Sequence, residues 1–62
     1  MKIYFEYRNF RGGITGWSDD FEVVNINEAE YRADCVMERI GEISKVIAHD
    51  SETDIILGWW GM

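Results

Sequence analysis

The first part of the chain alternates apolar and polar residues in a way that predicts two strands. Residues 2–8 (KIYFEYR) alternate with a period of two, which is typical of a strand with one buried face. Residues 19–26 (DDFEVVNI) predict a second strand, in which the neighbours Val23 and Val24 break the alternation and permit a bulge. Residues 9–18 contain three glycines and predict the flexible hairpin loop that joins these strands.

The middle of the chain has a helical period. A helix is predicted to begin at Asn27, because Asn27 and Glu30 together form a capping-box pattern. Ile26 and Tyr31 stand at the positions of a hydrophobic staple, and Gly41 is a natural stop. At about 100° per residue, one sector of the helix collects the apolar side chains and predicts a core-facing stripe. The stripe consists of Ala29, Ala33, Val36, Met37 and Ile40.

The C-terminal part of the chain predicts a second pair of strands. Residues 42–49 (EISKVIAH) and 55–60 (IILGWW) are the two strands, and the polar residues 50–54 (DSETD) are the turn between them. Successive strand residues face opposite sides, so we expect one of Trp59 and Trp60 to join the core and the other to point away.

These elements predict a single α+β domain over residues 1–62 in the order ββαββ. Its four-stranded antiparallel sheet is expected to carry one helix packed on one face. The other face would then keep more apolar side chains than a water-facing sheet should. Two explanations stay open: a different register or a loop folded over that face, and an interface for a second copy or another protein. The residues concerned are Tyr4, Val24, Val46, Ile56 and Trp60.

The predicted helix also carries an acid at every fourth position, which folding alone does not explain. Like charges four residues apart on a helix repel by about 0.2–0.5 kcal/mol per pair. Glu28 and Arg32 form a favourable pair on another flank, and Tyr31 and Cys35 are expected to lie beside the row, facing outward. The row is either an ordinary solvated face of an acidic protein or a docking surface for a basic groove. It consists of Glu30, Asp34, Glu38 and Glu42.

The charge of the chain limits the partners that it is expected to bind. With 12 acidic and 6 basic residues, the net charge is -6. This balance argues against direct binding of nucleic acid or of an anionic membrane, and it favours a basic protein partner. No apolar run approaches the ~20 residues of a membrane span, and the start of the chain lacks an apolar signal region. Together with a lone cysteine, these features predict a cytoplasmic protein.

The candidate catalytic and metal-binding residues form no recognisable motif. The acids of residues 50–54 resemble the start of a calcium loop, but Ile55 and Gly61 occupy the positions of the required glycine and carboxylate. A thiol enzyme would need Cys35 and His49 to meet, and nothing in their spacing predicts this. We therefore expect no cofactor, no metal and no enzymatic activity.

Arginines and aromatic residues lie close together in the first loop. Arg8 and Arg11 flank Phe10, and Trp17 follows. This combination is typical of interface anchors, and equally of a cation–π pair on a surface with no partner. With the acidic row and Tyr31, we take Trp17 and Trp60 as candidate protein-binding residues.

In size, acidity and ββαβ-type order, the chain resembles small acidic single-domain proteins encoded by bacteriophages, including anti-CRISPR and other anti-defence inhibitors. That resemblance implies a non-enzymatic inhibitor that binds a bacterial protein, often at its nucleic-acid site. The expected function is therefore to sequester a basic, nucleic-acid-handling protein by partial mimicry of nucleic acid. The alternatives are a homo-oligomeric module that associates through the sheet face and, last, a small thiol enzyme.

Overall fold

The computed structural model describes all 62 residues, which form one helix packed on an antiparallel sheet of five strands. The α+β class and the single helix are confirmed, whereas the sheet has one strand more than predicted. The elements in chain order are β1 (Lys2–Arg8), β2 (Ile14–Trp17), β3 (Phe21–Glu22), α1 (Ile26–Arg39), β4 (Lys45–Asp50) and β5 (Ile56–Gly61).

The sheet has the order β2-β1-β4-β5, and the short β3 pairs with the same edge of β1 as β2 does. The prediction of one continuous strand over residues 19–26 is therefore wrong, and part of the predicted loop is β2. Ser18 explains the interruption between β2 and β3. Its N–H donates to the carbonyl of Phe5 at 2.9 Å, but its hydroxyl oxygen accepts from the N–H of Phe5 at 2.8 Å. A side chain thus replaces one main-chain acceptor of the ladder.

The turn between β1 and β2 is shorter than the predicted loop. The Oδ1 atom of Asn9 accepts hydrogen bonds from the N–H groups of Arg11 and Gly13, both at 2.9 Å. Gly12 has φ +84°, a conformation that glycine adopts without strain. These contacts close the hairpin within five residues, Asn9 to Gly13.

Helix α1 begins two residues earlier than predicted. Asn25 is the N-cap, and its Oδ1 accepts from the N–H of Glu28 at 3.1 Å. Glu28 in turn accepts from the N–H of Val24 at 2.9 Å. The sequence contains two overlapping Asn-x-x-Glu patterns, and the earlier one, Asn25 with Glu28, caps the helix. Ile26 is then a helical residue, and the predicted staple between it and Tyr31 does not form.

The helix ends at Arg39, and Ile40 is the C-cap. Gly41 follows the cap, as predicted, but Ile40 is 48% exposed and does not belong to the core. Glu42 lies in the turn beyond Gly41 and is therefore outside the helix.

The core lies between α1 and the sheet face that the helix covers. Phe5 is at its centre, with ring centroids 5.0 Å from Phe21 and 6.5 Å from Trp60. Two buried alanines, Ala29 and Ala33, give the helix a small contact surface toward the sheet. The buried apolar residues are Ile3, Phe5, Val23, Ala29, Ala33, Ile43, Val46 and Ala48.

The register shows that two residues predicted for the uncovered face belong to the core. Val46 is fully buried, and Trp60, its partner across the β4–β5 ladder, packs against the core. Residues 46 to 48 are all apolar, so alternation alone does not decide which of them face the helix. Val24 lies outside the strands and is 84% exposed. Tyr4 and Ile56 are on the uncovered face, as predicted. The structure contains no helix with the length and apolar character needed to cross a membrane.

Candidate functional site

The acidic row predicted from the sequence is partly formed by α1. Glu30, Asp34 and Glu38 are all exposed on the outer surface of the helix. Glu42 is not part of this row, because the helix ends before it. The three helical carboxylates span about 12 Å along the axis at 1.5 Å rise per residue. We use "acidic row" below for Glu30, Asp34 and Glu38 only.

No basic group within the chain neutralises the acidic row. The salt bridges of the structure join Glu22 to the N-terminal amine, and Glu6 to Arg8 and His49. The predicted pair of Glu28 with Arg32 does not form. Glu28 is occupied as a helix cap, and the Arg32 guanidinium lies 5.3 Å from the centre of the Phe21 ring.

Most of the basic side chains are engaged away from the acidic row. Aromatic rings hold three of them: Arg32 over Phe21, Arg11 at 5.7 Å from Phe10, and Lys45 at 4.2 Å from Trp59. A fourth, Arg8, donates to Glu6 at 2.6 Å. The row forms no salt bridge within the chain, and Arg39, the base that follows Glu38 at the end of the helix, forms none with it.

Tyr31 stands beside the acidic row and is 71% exposed. Its exposed ring gives the row an aromatic neighbour of the kind that protein interfaces favour. Cys35, which was expected to face outward, is half-buried. Their positions leave Tyr31 as the one aromatic side chain on this helix surface.

The sheet face away from the helix, which we call the open face, exposes several large apolar side chains. Trp17 was a candidate binding residue and is 61% exposed there, opposite Glu6 of β1. Trp59, at 56% exposed, is the tryptophan that points to the open face, whereas the predicted candidate Trp60 is in the core. The pairing of the strands decides this. Trp59 lies opposite Ile47 of β4, and Ile47 lies opposite Glu6 of β1, so all three side chains are on the open face. Ile14 and Ile56 add exposed aliphatic groups at the two edges.

The open face holds little of the chain's negative charge. The strand register puts three of the six bases and two of the twelve acids on it, and Asp54 of the turn before β5 adds a third acid through its hydrogen bond with Tyr4. Of the two strand acids, Glu6 is paired with Arg8, and Glu22 lies 3.4 Å from the N-terminal amine. The acidity of the protein therefore belongs to the helix side and to the loops. The three bases are Lys2, Arg8 and Lys45.

A polar cluster lies at the centre of the open face, and sequence reasoning did not find it. His49 is buried, with Nε2 at 2.9 Å from Glu6 Oε1 and Nδ1 at 3.2 Å from the carbonyl oxygen of Asp54. The ring of Tyr4 stacks on His49, with centroids 4.9 Å apart, and its hydroxyl donates to Asp54 at 2.9 Å. The strand alternation of Tyr4, Glu6 and Arg8 was the available signal, because it places all three side chains on one face.

Hydrogen bonds within this cluster shift the pKa of two of its groups. Burial raises the pKa of the Glu6 carboxyl, but hydrogen bonds from Arg8 and His49 outweigh it, and the pKa lies below its usual range. The hydrogen bond to Asp54 raises the pKa of the Tyr4 hydroxyl. The cluster therefore ties β1, β4 and the turn before β5 together.

The turn that resembled a calcium loop uses its first acid to hold its own backbone. One oxygen of Asp50 accepts hydrogen bonds from the N–H groups of Glu52 at 2.8 Å and Thr53 at 3.1 Å. These bonds hold the pKa of Asp50 below its usual range. No group of three or more His, Cys, Asp or Glu side chains is arranged to hold a metal ion.

Cys35 and His49 lie on opposite sides of the sheet. Cys35 is on the helix, whereas His49 is on the open face with Glu6 as its partner. A thiol–imidazole pair needs the two groups within hydrogen-bond reach, and this arrangement keeps them apart.

The remaining predicted loop residues line a shallow depression at the end of the β1–β2 hairpin. Phe10 is 74% exposed there, with Arg11 over its ring. Glu42, the acid that lies beyond the helix, borders the same depression. The depression is open to solvent and has one apolar lining residue, Phe10, so it offers little burial for a small molecule.

Comparisons of the chain with protein-family models, with curated proteins and with solved structures found no match. The proposals below therefore depend on the sequence and on the geometry.

Proposed function

We propose that this protein is a small non-enzymatic binding protein that sequesters a basic partner through the outer surface of α1. The observation that carries the proposal is the acidic row, whose three exposed carboxylates have no basic partner within the chain. A partner that supplies lysine or arginine would neutralise charge that the fold leaves uncompensated.

The spacing of the row supports partial rather than full mimicry of nucleic acid. Carboxylates four residues apart on a helix lie about 6 Å apart along its axis. One strand of B-DNA carries a phosphate about every 3.4 Å. The row therefore has roughly half the linear charge density of one strand. It is suited to a short basic groove, of the kind that a nucleic-acid-handling protein offers to a few phosphates.

Tyr31 gives the proposed surface an anchor that charge alone does not provide. Exposed charges at the edge of an interface mainly steer association, whereas a buried aromatic side chain contributes most of the affinity. We therefore assign recognition of the basic partner to the carboxylates and much of the residence time to Tyr31. In the setting suggested by the sequence, the partner is a nucleic-acid-binding bacterial protein, as for a phage-encoded anti-defence inhibitor.

Capture from bacterial lysate at low and high salt, with Asp34→Lys/Glu38→Lys beside the wild type, tests this proposal. Because like charges at an interface repel, we expect the variant to lose at least about tenfold in affinity for the captured protein. The matched control is Asp19→Lys/Asp20→Lys, which changes the net charge equally at two exposed acids that lie outside the helix, just before β3. The proposal is wrong if the row variant binds as tightly as this control.

The open face supports a second candidate function, which is self-association. Trp17, Trp59, Ile14 and Ile56 are each about half or more exposed on one face, where acids and bases are balanced in number. Two copies that meet there would keep their acidic helices on opposite outer surfaces. Sedimentation equilibrium separates the two candidates, because a monomer that persists at high micromolar concentration excludes the dimer.

A further inference from the structure

Strand β5 forms a free edge of the sheet, and this edge is chemically different from the opposite one. The opposite edge is made of β2 and β3, which are four and two residues long and are separated by the break at Ser18. Short, interrupted and charged strands prevent pairing with other chains. Strand β5 (ILGWWG) has six residues, no proline and no charge. It therefore lacks the short length, the proline and the charge that protect an edge, and its pairing with β4 has one register shift, between Ala48 and His49.

The hydrogen bonds of β4 and β5 show which groups of this edge are free. The N–H of Met62 donates to the carbonyl of Ser44 at 3.0 Å. This bond shows which alternate residues of β5 direct their N–H and C=O groups toward β4. Trp60 and Gly58 then exchange their hydrogen bonds with β4. The N–H and C=O groups of Trp59 and Gly61 point away from the sheet, with no partner on that side. These are the groups that an added strand would use.

Two members of the acidic row, Glu30 and Asp34, lie on the side of the helix that faces this edge. Helix α1 packs over β5 and β4, with Ile26 near Gly58 and Met37 near Gly61. On the opposite flank of the helix, Arg32 reaches across to Phe21 of β3. At about 100° per residue, Glu30 and Asp34 fall on the flank away from Arg32, which is the flank beyond the free edge of β5.

We propose that β5 accepts an extended basic peptide segment as an additional strand of the sheet. Such a segment alternates its side chains between the two faces of the sheet. Residues on the helix side would lie beneath Glu30 and Asp34, where lysine and arginine are favoured. Residues on the other side would lie beside Trp59 and Ile56, where apolar groups are favoured. The partner is therefore a strand of alternating basic and apolar residues.

A second copy of this chain is a poorer occupant of the same edge. Two β5 strands paired about a two-fold axis would bring Glu30 and Asp34 of both copies to the same seam. A basic segment instead neutralises these carboxylates. This inference depends on the proposed function, since it specifies how a basic partner would approach the acidic row.

Amide hydrogen exchange by NMR tests the inference, with a short peptide of alternating lysine and valine as the probe. We expect the peptide to slow exchange of the Trp59 and Gly61 amides by about tenfold or more at saturation. This corresponds to about 1.4 kcal/mol of added protection. The Gly58 and Trp60 amides already face β4 and serve as internal controls that change little. A peptide of alternating glutamate and valine should give no protection.

Two double variants test whether protection of the β5 edge depends on the carboxylates of Glu30 and Asp34. Glu30→Lys/Asp34→Lys should lose the protection, whereas Asp19→Lys/Asp20→Lys should keep it. The inference is overturned if the lysine peptide binds without protecting Trp59 and Gly61, or if the glutamate peptide protects them equally. Protection that appears on raising the protein concentration alone would show a second copy at the edge and would also overturn it.

The proposed function and this inference can fail separately. If the edge is protected but the captured partner ignores reversal of Asp34 and Glu38, the proposed function fails alone. If the partner responds to that reversal but never protects the edge amides, the inference fails alone.

Discussion

The two faces of the sheet differ in what their side chains do. The covered face holds apolar residues that have no exposure, such as Ile3, Val46 and Ala48. The open face instead holds a hydrogen-bonded cluster around Glu6 and His49, bordered by exposed tryptophans. Nearly all of the apolar burial of this small chain therefore lies on the covered face, whereas the open face contributes hydrogen bonds. The open face and the outer surface of α1 remain available for partners.

The adjacent tryptophans of β5 should show the largest difference between the two faces. Trp60 packs on the core, so Trp60→Ala should lower the free energy of unfolding by about 3 kcal/mol. Trp59 is on the open face, so Trp59→Ala should lower it by less than about 1 kcal/mol. Urea unfolding of the two variants measures both values. Equal losses would show that the faces are not distinguished in this way.

The start of the helix provides a second pair of variants to compare, with a smaller expected difference in stability. Asn25→Ala removes the N-cap and should lower the free energy of unfolding by about 1 kcal/mol. Asn27→Ala changes an exposed helical residue and should be nearly neutral. Thermal unfolding of the two variants distinguishes them. If Asn27→Ala is the more damaging, the helix begins at the later position.

The polar cluster of the open face should contribute a pH-dependent part of the stability. Because the pKa of Glu6 is lowered in the folded protein, its contribution is complete above the ordinary glutamate pKa of about 4.3. The contribution is lost as the pH falls through the lower, folded-state pKa.

Glu6→Gln should flatten this part of the profile. We expect the melting temperature of the wild type to fall more steeply between about pH 5 and pH 3 than that of the variant. Parallel profiles would mean that the cluster adds no pH-dependent stability.

The periodicity of the sequence predicted the element types well where one face is clearly apolar. Strand β1 and the helical stripe through Ala29 and Ala33 are examples. It did not predict which residues of β4 and β5 face the helix, because residues 46 to 48 and the two adjacent tryptophans are all apolar. Only pairing with β1 decides which of them face the helix.

Prediction of the candidate sites from the sequence had the same limit. The acidic row was predictable because it depends on spacing within one element. The cluster of Tyr4, Glu6 and His49 joins residues more than 40 positions apart, so it needed the register. The helix start was misplaced because Asn25 and Asn27 carry the same capping pattern, and sequence alone gives no way to choose between them.

Titration calorimetry with the captured partner at two salt concentrations tests whether the acidic row binds a basic protein. We compare the wild type, Asp34→Lys/Glu38→Lys and the control Asp19→Lys/Asp20→Lys. We expect salt to weaken wild-type binding, the row variant to lose at least about tenfold in affinity at low salt, and the control to lose much less. Equal affinities of the row variant and the control would contradict this expectation.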